Sequence, residues 1–355
     1  MLERAVVVLA AGLGTRMKSV LPKVLHELCG QPLLAHVLRT ALALDPERVL
    51  VVVGHREDLV RETFEGWPVE WVSQPEQLGT GHAAGMACDA LGDFDGDVVM
   101  LMGDVVLLKE ATLRRTLVEH EKAEASATVV TGILDDPTGL GRVLRGQDGR
   151  VRAIIEEREA SPEEKAIREV NSGCYVFECE ALTRMLERIT PENEQEEYYL
   201  TDVVGLLVDE GATVVSASAD DVHEILGINT RGELAAAARL LQEQTLARLM
   251  RDGVTVVDPL TTRVDPRARV AADTVIEPFS IVEGALVVER GCHLGPYCHL
   301  RGRVTLAPPT AGREEVPVLV SGTRLGRGRF VLENAGPETT TIRNVTEERS
   351  GAWTN

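Results

Sequence analysis

Short, unbroken apolar runs recur through the first third of the chain, and each ends on glycine or a polar residue. Ala5-Val6-Val7-Val8-Leu9 leads into glycine-rich sequence, Val49 to Val53 into Gly54-His55, and Val98 to Met102 into Gly103-Asp104. Runs of this kind are apolar on both faces, as buried parallel strands are. Between them, Pro32 to Leu44, Asp58 to Phe64 and Gly81 to Leu91 carry apolar residues at helical spacing, and Val69 to Val72 adds a short strand. The alternation predicts an α/β fold with a mostly parallel sheet covered on both faces. Ligands of such sheets sit beyond the carboxyl ends of the strands. Gly12, His55, Gln74 and Asp104 all follow strand ends and are expected to converge.

The pattern changes twice further on. Residues 126–190 are richer in strands: Ala127 to Ile133, Arg142 to Leu144, Val151 to Ile155 and Asn171 to Phe177. Leu234 to Leu249 is apolar at helical spacing and predicts a linker helix. After it, Val264, Val270, Ile276, Val282, Val288, Leu294, Leu300 and Leu306 recur every six residues. Two positions before each stand Thr262, Ala268, Thr274, Ser280, Leu286, Cys292, Cys298 and Val304, mostly small. A sustained six-residue period predicts a parallel β-helix, with aliphatic side chains stacked inward. The phase is lost at Pro308 to Glu315, and Gly322 to Val331 hints at one more turn. The expected organisation is a first domain over 1–233, a linker helix over 234–253, a β-helix over 254–308 and an irregular or degenerate segment over 309–355.

Composition narrows the function classes. The 355-residue chain is 44% hydrophobic, enough to fold around a core, and its formal net charge is −19. That charge argues against a nucleic-acid partner, which needs a basic footprint. The chain enters a strand-like run within a few residues of its start and has no membrane-spanning apolar stretch, so a cytoplasmic protein with no membrane contact is expected. Six scattered cysteines lack metal-site spacing and read as free thiols in a reducing compartment.

The candidate chemistry begins where the first strand stops. Residues 9–23 read Leu-Ala-Ala-Gly-Leu-Gly-Thr-Arg-Met-Lys-Ser-Val-Leu-Pro-Lys. Gly12 and Gly14 let the backbone approach an anion closely, while Arg16 and Lys23 add charge-assisted bonds to phosphate oxygens. The dinucleotide fingerprint would need glycine at position 17, which is Met17, and Gly-Lys-Ser/Thr is absent, so neither hydride transfer nor P-loop hydrolysis is favoured. Asp104, just after a buried strand, suits Mg²⁺, a hard ion that prefers oxygen ligands. Gly227-Ile228-Asn229 supplies a second oxygen candidate. Residue by residue, an Asp capping a helix and an Asn in a turn are the plain alternatives.

Leu9 to Lys23, continued through Val24-Leu25-His26 and Gly30-Gln31-Pro32-Leu33, resembles the signature of sugar-1-phosphate nucleotidyltransferases. Within that superfamily it is most similar to the N-acetylglucosamine-1-phosphate uridylyltransferase family, whose bifunctional members carry a C-terminal acetyltransferase domain. The resemblance covers roughly residues 1–235 well and 254–306 moderately. It implies a Rossmann-like nucleotidyltransferase domain followed by a short left-handed parallel β-helix, and it implies that copies assemble as a homotrimer through that helix. It assigns Asp104 and Asn229 to Mg²⁺, with Arg16, Lys23 and Asp104 catalytic. Leu9, Ala10, Ala11, Gly12, Gly14, Lys23, Gln74, Gly79, Thr80 and Gly103 are implied at the nucleotide, with Gln74 on the uracil edge. Gly141, Glu156, Asn171 and Asn229 are implied at the sugar. Tyr198 to Asp202 also matches and reads as structural. Val106 stands where the family has proline, which puts nucleotide preference in question.

The implied reaction joins UTP and N-acetylglucosamine 1-phosphate into UDP-N-acetylglucosamine with release of pyrophosphate. A phosphate nucleophile is ionised at neutral pH, so positioning and charge neutralisation suffice. A different sugar or dTTP is the alternative within the class, and a non-catalytic nucleotide-sugar sensor is the alternative outside it. Acetyl transfer is not expected: it needs a histidine late in the β-helix, and the last histidine is His299, in an early coil.

Overall fold

The computed structural model describes residues 3–301 and, as backbone, residues 304–307, 319–320, 324–325, 328–336 and 339–344. The chain divides into two compact units, one formed by Met1–Glu27 and Gln31–Leu234 and the other by Leu28–Gly30 and Ala235–Asn355.

The first unit is built on a nine-stranded sheet: β1 (Glu3–Leu9), β2 (Arg48–Val53), β3 (Glu70–Ser73), β4 (Gly96–Met102), β5 (Ala127–Ile133), β6 (Arg142–Arg145), β7 (Val151–Ile155), β8 (Glu169–Glu178) and β9 (Val214–Ser218). Seven of these form the path β9-β5-β8-β4-β1-β2-β3, and the β6–β7 hairpin joins it through β8. β3, β2, β1 and β4 are all parallel, while β8 runs antiparallel to both neighbours. Helices α1 (Leu33–Leu42), α2 (Glu57–Thr63), α3 (Thr80–Leu91), α4 (Glu110–Ala123), α5 (Pro162–Lys165), α6 (Cys179–Leu186) and α7 (Asp202–Asp209) connect the strands.

The expected elements are present, with ends displaced by a residue or two where caps and turns decide them. Ala5, Val7 and Leu9 join a core with Ala84 and Ala87 of α3, Leu182 of α6 and Val203 of α7. Val6 and Val8, one residue out of phase, are fully buried on the opposite face. Parallel strands buried on both sides have no polar face, which is why their sequence shows no alternation.

Chain order brings the candidate segments together. β1 lies between β2 and β4, so connections leave it in opposite directions, the place in such sheets where ligands bind beyond the carboxyl ends of the strands. Register places Leu9 beside Met102 and Val52. The segments that follow, Ala10 to Gly14 and Gly103-Asp104, therefore leave the sheet side by side.

The second unit begins in α8 (Arg231–Arg251), whose Leu246 and Leu249 pack into the second core. Beyond it, mostly two-residue and three-residue strands form three sheets, parallel except for the last strand of one. Arg263 pairs with Ile281 and Ile281 with His299, steps of 18 residues, or three of the six-residue repeats per coil. Val264, Val270, Ile276, Val282, Val288, Leu294 and Leu300 are all buried, as are Thr262, Ala268, Thr274, Ser280, Leu286, Cys292 and Cys298. Gln242 closes the first coil: its side-chain amide accepts from Val264 N at 2.8 Å and donates to Val264 O at 2.9 Å, as a neighbouring strand would. The expected irregular segment over 309–355 lies largely outside the described residues. Of those described, Leu319–Val320, Arg324–Leu325 and Gly328–Gly336 pair in parallel with the coil before them, and Thr339–Asn344 pairs antiparallel with Gly328–Gly336.

Leu294 is fully buried in the stack, whereas Val257 is 51% exposed. Leu294→Ala should cost about 2–5 kcal/mol through the cavity it leaves, and Val257→Ala within about 0.5 kcal/mol. Chemical denaturation followed by circular dichroism checks both.

Candidate active site

The phosphate-loop candidate leaves β1 at Leu9, whose carbonyl accepts Gly103 N at 2.9 Å. A Cβ at Gly103 would lie 3.1 Å from Leu9 O and 3.2 Å from the Ala10 Cβ, so glycine is what lets the two strand ends touch. Gly54 plays the same part after β2, where a Cβ would approach Ala11 O at 3.1 Å and Gln74 O at 3.0 Å. The strand ends thus meet at Gly54, while the neighbouring His55 points out and is exposed.

Gly14 adopts φ +61°, the left-handed region that favours glycine, and begins a 3-10 turn over Thr15–Met17. The turn buries Met17 and leaves Arg16 exposed. Pro22 then starts a second 3-10 turn at Lys23. A Cβ on Gly14 would sit 2.6 Å from the Lys23 Cβ, so the loop's second glycine is where the Lys23 stem passes. Gly12 differs: a Cβ there meets no atom within 4 Å.

Lys23, Asp104 and Asn229 come together. Lys23 Nζ donates to Asp104 Oδ2 at 2.5 Å and to Asn229 Oδ1 at 3.0 Å. The lysine and aspartate side chains are only 15% and 16% exposed. The backbone secures both oxygen donors. Ile228 N donates to Asp104 O at 3.0 Å, and the Glu233 carboxylate accepts from Asn229 N at 2.6 Å and Thr230 N at 2.8 Å. A Cβ on Gly227 would lie 3.3 Å from Asp104 Oδ2, so the close passage of the 227–229 segment also needs glycine. Val105 and Val106 are buried and anchor the turn after Asp104. The two oxygens aim at one cation, and an ammonium stands at their meeting point. Carboxylate and amide oxygens are the donor set of a hard divalent ion, and the residues present fit one.

The nucleotide-side candidates divide. Gln74 is buried, and its amide nitrogen lies 3.2 Å from Gly79 O and 3.0 Å from His82 Nδ1. Gly79, at φ +109°, backs onto Tyr198, leaving no room for a side chain. The Thr80 hydroxyl accepts from Leu200 N at 3.1 Å, so it binds the 198–200 segment to the loop. Tyr198 completes the seam, donating through N to Leu78 O and accepting from Gly81 N, each at 2.8 Å.

The sugar-side candidates are also neighbours. Asn171 N donates to Gly141 O at 2.9 Å, and a Cβ on Gly141 would lie 3.6 Å from both Glu156 oxygens. Asn171 stands at an irregularity where β8 shifts register against β5 between Asn171 and Tyr175. Bulges of this kind re-aim side chains near active sites. Two partners went unassigned in the sequence: Thr201, whose hydroxyl donates to Glu156 Oε1 at 3.1 Å, and Tyr175, whose hydroxyl accepts from Asn171 Nδ2 at 2.6 Å. Their roles are tertiary, and no local motif announces them. Burial pushes the Glu156 carboxyl above its ordinary range, with the Asp202 charge adding to it and the Thr201 bond opposing. Burial also pushes the Cys174 thiol up to about 11, so it is not a thiolate nucleophile.

A mostly parallel sheet with a glycine loop after its first strand is the frame of a nucleotide-binding α/β domain. Residues 6–168 match the MobA-like NTP transferase domain. The fold is similar to UDP-glucose pyrophosphorylase complexed with UDP-glucose, at a TM-score of 0.57 and 15% identity over 69% of this chain and 100% of that one. It is also similar to a Bacillus anthracis protein described as a glucose-1-phosphate thymidylyltransferase, at 0.54 and 20% over 67% and 94%.

Sequence likeness is closer in one direction. The bifunctional protein GlmU of Geobacillus thermodenitrificans is 39% identical over 321 residues, 89% of this chain and 70% of that protein. The GlmU proteins of Brevibacillus brevis and Trichlorobacter lovleyi are 44% and 46% identical, over 83% and 82% of this chain. This chain belongs to the GlmU family and carries an NTP transferase domain. It spans 64% and 63% of the length of those last two relatives, a little under two thirds. Among the described residues, no helix is long and apolar enough to cross a membrane.

Gly12→Ala should fold with an unchanged thermal transition, since it meets no neighbour. Gly14→Ala combines a positive φ with a Cβ 2.6 Å from that of Lys23, and should lose roughly 1–2 kcal/mol. Thermal unfolding of the two variants checks the contrast.

Proposed function

We propose that the chain transfers the uridylyl group of UTP to N-acetylglucosamine 1-phosphate, forming UDP-N-acetylglucosamine and pyrophosphate. The observation that carries this reading is the convergence of Lys23 with Asp104 and Asn229, at 2.5 and 3.0 Å, beside the glycine loop. Relatives 39–46% identical over more than four fifths of the chain support the choice of substrates.

The sugar phosphate attacks the α-phosphorus in line, and pyrophosphate leaves. The nucleophile is already ionised, so no base has to remove a proton. The chain's contribution is positioning and charge. Gly12 and Gly14 let backbone N–H groups approach the triphosphate, and Arg16 and Lys23 neutralise it. Gln74 and Gly79 face the base, while Glu156 and Asn171 bind the sugar's hydroxyl and acetamido groups. When bound by Asp104 and Asn229, Mg²⁺ supplies neutralisation of phosphate oxygens and orientation for attack. The described cysteines are free thiols, which suits the cytoplasm.

A pyrophosphate-release assay over UTP, dTTP and several hexose 1-phosphates should give the highest kcat/KM with UTP and N-acetylglucosamine 1-phosphate. A preference for dTTP or another sugar would replace these substrates, as the Val106 departure allows. Lys23→Met should lower kcat/KM by about 100-fold or more, the scale of losing one oriented charge at a phosphoryl centre. Turnover near that of the wild type in this variant would remove Lys23 from the mechanism.

A further inference from the structure

The oxygens of Asp104 and Asn229 are occupied by a charge the chain supplies itself. We infer that the Lys23 ammonium is the internal occupant of the divalent-ion position, and that a bound nucleotide draws it away, so that ion and nucleotide binding are coupled through this one side chain. The inference rests on the reading of Asp104 and Asn229 as ion ligands and adds the order in which the site fills.

Geometry indicates which group moves. Asp104 and Asn229 have short side chains, and their backbones are fixed by Ile228 N and by the Glu233 carboxylate. Lys23 reaches them at the end of four methylenes, from a stem that lies against Gly14 of the phosphate loop. Swinging that stem leaves every backbone bond intact, and the lysine that caps the oxygens already belongs to the loop that would receive phosphate.

Charge indicates when it moves. Asp104 and Lys23 form a nearly neutral pair, with 15% and 16% of their side chains exposed in the order Lys23, Asp104. A divalent ion entering beside the ammonium would set three positive charges against one carboxylate. An ion displacing the ammonium would leave Lys23 without an anion. Among the described residues, Lys23 has an ion pair with Asp104 alone, and Arg16 has none. A triphosphate removes the conflict, because it offers Lys23 oxygens beside the same loop. The ion then finds Asp104 and Asn229 free, and by linkage each ligand strengthens the other's binding by the same factor.

The test is a Mn²⁺ titration of the full chain without nucleotide, followed by electron paramagnetic resonance. Lys23→Met should bind Mn²⁺ about tenfold more tightly than the wild type, within the usual range of coupling between sites. Lys23→Ala should do the same and serves if the methionine variant folds poorly. Adding Asp104→Asn to either variant should abolish the gain. Equal affinity in the wild type and the Lys23 variants would overturn the inference, as would a gain that survives Asp104→Asn. The titration needs no turnover. A chain that fails to make UDP-N-acetylglucosamine but shows the gain keeps the inference, and an active chain without the gain loses it alone.

Discussion

A single ammonium group joins parts of the chain 81 and 206 residues apart. Lys23 comes from the loop after β1, Asp104 from the turn after β4 and Asn229 from the segment before α8. None of these could find the others without the sheet. Because Leu9 and Met102 are register partners on adjacent parallel strands, the two segments that carry Lys23 and Asp104 leave the sheet together. Glycine makes the contact possible at Gly103 and Gly54 and again at Gly227, where a side chain would press on the neighbouring backbone or on Asp104. The aliphatic core of β1, β2 and β4 is the support on which the cluster of Lys23, Asp104 and Asn229 rests.

This arrangement reconciles an acidic protein with the anionic ligand proposed for it. The chain carries a net −19, yet one loop holds both the exposed Arg16 and the Lys23 ammonium that meets Asp104 and Asn229. Field inside a pocket is set by the nearest fixed charges, while distant surface charges are screened by water and salt. The candidate sugar-side residues are built differently. Glu156 and Asn171 are held by neutral hydroxyls of Thr201 and Tyr175, which orient them without adding charge. The seam between Gly79 and Tyr198 to Leu200 joins the Gln74 loop to the segment that holds Glu156, since Thr201 follows Leu200 directly.

Much of this was legible in the sequence, for physical reasons. Fully buried parallel strands leave unbroken apolar runs, and β-helix coils leave a six-residue period that recurs in the buried positions from Val264 to Leu300. The glycine loop was legible because close backbone approach admits few other residues. The juxtaposition of Asp104 with Asn229 came from resemblance, because nothing in spacing links residues so far apart. Thr201 and Tyr175 were not legible, since a hydroxyl's partner is decided by the tertiary fold. The same holds for the Thr80 hydroxyl, which accepts from Leu200 N, 120 residues away. Lys23 was read as a phosphate ligand, and its place between the two oxygens is visible only in three dimensions.

Anomalous diffraction from a crystal grown with Mn²⁺ and UDP-N-acetylglucosamine addresses the cation site most directly. The account predicts one strong peak between Asp104 and Asn229, with the Lys23 side chain turned onto the diphosphate. A peak elsewhere, with Asp104 and Asn229 still holding Lys23, would contradict it.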